Sequence, residues 1–217
     1  MLTEWIRAIF IFARKGYHAI TTDVNNNGFS QKSIMVYHIF FLFISVLCVI
    51  FLPNGLNEEF IDYIKDIFAI FIGFFVTALA LIYDKLNISK IPSQKDKDNM
   101  PVEDRPTSKD ILRMKQEHNY VIRFFYSIGF NILYATLTLL LLIPIIFWKK
   151  FFSLNISEYQ IVGNLEYLNK ESILLGCHIV LLFIYRLLLI LLIVKVFFYT
   201  VYMITSLLQV LISKKKI

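Results

Sequence analysis

The chain has little of what catalytic sites are usually built from. Its 217 residues include 7 glycines, 5 prolines and 2 cysteines, and only 18% are charged. No Gly-rich phosphate loop, His-Glu-x-x-His, Gly-x-Ser-x-Gly or pair of intramembrane acids can be read in it, so no enzyme chemistry is expected. His18, His38, His118 and His178 are scattered without ligand spacing, and Cys48 and Cys177 both fall inside apolar runs. Neither a zinc site nor a disulfide framework is expected, and no cofactor. The apolar stretch 8–13 is too short for a secretory signal, and Arg14-Lys15 follow where a cleavage motif should stand. Gly- or Pro-broken repeats of the secondary-transporter kind are missing too.

What is present is apolar length. Hydrophobic residues make up 58% of the chain, against roughly half in a soluble domain, and the excess lies in long runs. Inside a bilayer every backbone polar group must be satisfied within the protein, and no strand alternation suggests a barrel, so helices remain. The sequence therefore predicts an all-α fold, an integral membrane four-helix bundle. The spans fall at 33–52, 62–83, the far part of 108–147 and about 172–194, each near the ~20 residues that cross ~30 Å of hydrocarbon. The organisation divides into an N-terminal helix and loop (1–32), a first transmembrane hairpin (33–83), a cytoplasmic linker (84–107) and a second long hairpin (108–217).

Three stretches are not simple spans. Over 2–15, Leu2, Trp5, Ile6, Ile9, Phe10 and Ala13 recur at helical spacing, which fits either a helix lying in the interface or one packed on a neighbour. Pro106-Thr107-Ser108 signals a helix start, with Thr107 or Ser108 as N-cap and Asp110 in the first turn. Ile111, Met114, His118, Val121 and Phe125 then follow in steps of three and four, so this helix should begin well outside the bilayer and end near Phe147. From 173 to 212 the chain can be helical for ~60 Å, twice the hydrocarbon thickness. Its polar residues Lys195, Tyr199, Tyr202, Ser206, Gln209 and Ser213 share one face. Cytoplasmic extensions of the third and fourth spanning helices are the expectation.

Orientation follows from charge. The segments assigned to the cytoplasm hold sixteen Lys and Arg, and the outer loops with Lys65 hold four. Positive residues stay inside, so both termini are expected in the cytoplasm of a bacterial inner membrane. Nine basic and seven acidic residues between Asp84 and Arg123 nearly cancel, so no direct nucleic-acid binding is expected. Attraction of the basic residues to anionic membrane lipid is.

Candidate functional residues form three groups. Ala69, Gly73 and Thr77 lie four apart, which lets helix backbones approach closely, either as an oligomer seam or within one subunit. Arg186 and Lys195 are costly cations within an apolar helix, and Asp84 at the inner end of the second span is their natural partner. They read as an inner-interface anchor, a gate or a lipid contact. Lys109, Arg113 and Glu117, with Tyr199, Tyr202 and Gln209, would remain on the outer faces if the two cytoplasmic extensions packed together; Tyr and Arg are enriched at interface hot spots.

In size, span number, small-residue second span, long projecting helices and a surplus of Phe, Ile, Lys, Asn and Tyr, residues with A/T-rich codons, the chain resembles the membrane subunit of the Kiwa anti-phage system. That resemblance implies a homo-oligomer, such as a tetramer, that docks a soluble cytoplasmic operon partner and responds to phage attack. The alternative is a ligand-gated effector channel that depolarises the membrane. A channel needs a polar stripe through the bilayer, whereas Ile179, Leu182, Phe183, Ile190 and Ile193 are apolar; a hydrophobic gate would look the same.

Overall fold

A computed structural model describes residues 2–23, 25, 27–51, 56–88, 101, 105–148, 152 and 170–214, with the backbone alone at 2, 81, 83–88, 170–172, 175 and 206–214. Among the described residues lie five helices: α1 (Leu2–Thr21), α2 (Gln31–Phe51), α3 (Glu58–Ile88), α4 (Ser108–Phe147) and α5 (Lys170–Lys214). The described residues contain no strand, only an isolated bridge between Thr22 and Gly28. Helices α2 to α5 are each long and apolar enough to cross a membrane, so this is a multi-pass membrane protein in architecture.

The helix starts are written in side chains. Ser30 Oγ accepts from Ser33 N at 3.2 Å to open α2, and Asn57 Oδ1 accepts from Phe60 N at 2.9 Å to open α3. At α4 the cap is reciprocal. Asp110 N donates to Thr107 Oγ1 (3.3 Å), while Asp110 Oδ2 accepts from the Thr107 backbone N (3.0 Å) and hydroxyl (2.6 Å). Each satisfies donors that a helix leaves open at its first turn.

The residues fall into two compact units, the first made of Met1–Ile34, Ile72–Leu133 and Met203–Ile217, the second of Met35–Phe71 and Tyr134–Tyr202. In the first, α1 lies along α4, with Gly16 against Phe130, and Ala19, Ile128 and Phe130 are each buried. In the second, segments of α2, α3, α4 and α5 share an aromatic and aliphatic core. Phe41 meets Phe198 at 4.9 Å between ring centroids, and Phe68 and Phe71 flank Phe197 at 5.9 and 5.7 Å. Leu182, Leu189 and Val196 of α5 are fully buried there.

Hydroxyls inside the apolar helices are satisfied locally. Ser45, Thr138 and Thr200 donate to the carbonyls four residues back, at 2.7–2.8 Å. That removes the cost of an open donor without a partner helix.

Candidate functional site

An accessible mixture of polar and apolar side chains sits on the first three turns of α4. Lys109, Leu112, Arg113, Met114 and Glu117 are exposed, Leu112 at 57% and Met114 at 41%. Arg113 Nε lies 3.4 Å from Glu117 Oε1, a surface pair one turn apart that steadies the helix only slightly. Of the expected apolar stripe, Met114 faces out, while Ile111, His118, Val121 and Phe125 are partly covered. With Thr107 and Asp110 capping its start, this stretch is a capped helix whose Leu112 and Met114 stand exposed among the described residues.

Its base is gripped by α1. Phe12 stacks edge-on to Phe125 and tilts against Tyr126, with ring centroids 6.3 and 5.5 Å apart. Lys15 Nζ is 3.2 Å from the Tyr126 hydroxyl. Two glycines let the helices meet: Gly16 lies against Phe130, and Gly129 against the Phe12 ring. The Arg123 guanidinium then caps α1, donating to the carbonyls of Ala19 and Thr22, groups that a helix end otherwise leaves open. Asp23 closes the following turn by accepting from Asn27 N (2.7 Å) and Asn25 N (2.9 Å). The Asn27 amide holds its carboxyl below the ordinary carboxylate range. Nothing in the sequence pairs Gly16 with Gly129, since a lone glycine in a helix carries no address for its partner.

Ala69, Gly73 and Thr77 are all exposed on α3, and a Cβ built on Gly73 meets nothing within 4 Å. Thr77 turns its hydroxyl back to the Gly73 carbonyl at 3.0 Å. Among the described residues, then, no helix of the same subunit fills this face.

Arg186 and Lys195 each have a partner among the described residues. Arg186, 6% exposed, donates from Nη2 to the Phe152 carbonyl at 2.9 Å. Beside it Tyr185 donates to the Leu141 carbonyl, and its ring lies 4.7 Å from that of Phe152. Lys195 Nζ stands 5.8 Å above the Tyr134 ring, a cation–π arrangement. The Asp84 side chain lies outside the described residues, as does that of Gln209.

One docking residue has to be withdrawn. Tyr199 is 3% exposed, set edge-on against Tyr134 at 5.9 Å and stacked on Tyr37 at 6.5 Å. It belongs to the core of the second unit, because its ring area is worth more buried among aromatics than on a helix surface. Tyr202, 49% exposed, remains accessible. Among the described residues no group of three His, Cys, Asp or Glu is placed to hold a metal. No family model, curated protein or solved structure matches the chain.

Proposed function

We propose that this chain is the membrane subunit of a bacterial defence complex, with both termini in the cytoplasm, and that the first three turns of α4 dock a soluble partner encoded beside it. The observation that carries this is the exposure of Leu112 and Met114 between Lys109, Arg113 and Glu117 on a helix capped at its start. Apolar groups ringed by charge on an ordered rod are what a helix-recognising partner uses. The uncovered face of Ala69, Gly73 and Thr77 supports the association of copies along α3, where small residues allow close packing in lipid. The defence assignment itself is carried by the resemblance to the Kiwa membrane subunit.

The test uses the surface of α4 and spares α5, since truncation after Phe198 would delete the buried Tyr199 and Met203. Leu112→Asp combined with Arg113→Glu should leave membrane insertion and thermal stability intact. Co-purification with the operon neighbour should fall at least tenfold, about 1.4 kcal/mol, and protection against phage should go with it. Undiminished co-purification sinks the docking reading. Triggered ion leakage by the full-length protein alone in liposomes would favour the channel instead.

A further inference from the structure

We propose that the N-terminal half of α1 is seated in the headgroup and acyl boundary of an anionic membrane leaflet while its C-terminal half stays clamped to α4. Trp5, Ile6, Ile9, Phe10 and Ile11 are 68%, 46%, 51%, 72% and 48% exposed. That is a solid apolar surface on seven consecutive residues interrupted only by Arg7 and Ala8, far more than scattered surface hydrophobes would give.

The direction of α1 says where that surface lies. Asn25, just beyond α1, is bonded by Gln116; Ala19 is bonded by Arg123; and Phe12 rests on Gly129. Followed toward its N-terminus, α1 therefore runs antiparallel to α4, in the direction in which the α4 sequence loses its charges. Beyond Phe12 there are about seven residues to Trp5, or ~10 Å of helix, which carries Trp5 well past the last contact of the clamp. The clamp and the lipid surface are thus continuous along one helix.

Charge selects the kind of surface. Arg7 and Arg14 stand two turns apart on one side of α1 and form no ion pair among the described residues. Over Leu2–Thr21 the only acid is Glu4, against Arg7, Arg14 and Lys15. A second copy of this helix would bring like charges together, whereas anionic headgroups neutralise them. This inference stands independently of the docking of a soluble partner.

The chain has two tryptophans, Trp5 and Trp148, so Trp148→Phe leaves a single probe. The full-length variant is placed in nanodiscs of phosphatidylcholine with or without phosphatidylglycerol. Trp5 emission should be quenched by brominated acyl chains and shielded from aqueous iodide, more so with phosphatidylglycerol. Arg7→Gln with Arg14→Gln should raise iodide access severalfold in the anionic discs, each charge weakening seating by roughly fivefold. Iodide access without bromine quenching would overturn the proposal by placing α1 in water. Protection from both quenchers would overturn it by showing protein over Trp5. Equal seating in both lipids, unchanged by the two Arg substitutions, would overturn the anionic selectivity. Phe10→Asp, which keeps the clamp residues, should release Trp5 to iodide, and failure to do so would also count against it.

Discussion

At Gly16 and Gly129 one added methyl group has different consequences, because it meets different atoms. On Gly16 a Cβ would stand 2.5 Å from Phe130 Cβ, an atom fixed to the α4 backbone. On Gly129 it meets the far edge of the Phe12 ring, which can swing away on its two side-chain torsions. Helix propensity would favour alanine at both by up to ~1 kcal/mol, while overpacking that cannot relax costs ~1–3 kcal/mol. Gly16→Ala should therefore lower the melting temperature in detergent, and Phe130→Ala should not rescue it, since alanine keeps the offending Cβ. Gly129→Ala should be nearly neutral, and Phe12→Leu should remove what penalty remains. Equal losses at the two glycines, or rescue of Gly16→Ala by Phe130→Ala, would show that α1 does not sit on α4 in this register.

Helix pairing raises the same question at larger size, and Pro144 supplies the case. Proline has no N–H for the carbonyl of Leu140, and its ring crowds the preceding turn. In lipid, groups loosened in this way are satisfied by neighbouring helices. Tyr185 of α5 donates to the adjacent Leu141 carbonyl, and Arg186 to the Phe152 carbonyl just past the helix end. If the proline creates the need, Tyr185→Phe should cost about 1 kcal/mol in the native chain and almost nothing in a Pro144→Ala background. A double-mutant cycle read by thermal unfolding gives the coupling directly; equal costs in both backgrounds would mean the hydroxyl acts independently of the proline. The sequence was informative about such elements where local rules act. Thr107 and Asp110, three apart after a proline, announce α4 at the residue where it begins. It was uninformative where direction matters. Periodicity put Lys195, Tyr199 and Tyr202 on one face of α5 but not which way that face turns, so Tyr199 looked like a surface residue. Arg186 donates to the Phe152 carbonyl, 34 residues away in the chain, a pairing that no local rule announces.

For the whole molecule, the sidedness of the four spans decides whether docking in the cytoplasm is possible at all. Sixteen Lys and Arg in the segments assigned to the cytoplasm, against four outside, is the charge bias that predicts both termini inside when loops are short. Single-cysteine accessibility tests it. Cys177 is exposed and Cys48 half-buried, so both are replaced by Ser or Ala before any probe is introduced. Asn57 is a poor site for the outer probe because its side chain caps α3, a contact worth ~1 kcal/mol. Glu59, the second residue of α3, is exposed, and replacing it leaves the Asn57 cap in place. In intact cells, cysteines at Glu59 and Ser153 should react with a membrane-impermeant maleimide, and one at Ser93 should react only after the cells are opened. The same arrangement places Arg7, Arg14 and the exposed turns of α4 on one side of the membrane, where anionic lipid and a soluble partner could both be reached. Labelling at Ser93 from outside would reverse the chain. It would move α1 and the exposed start of α4 out of the cytoplasm, and the docking reading would fall with the orientation.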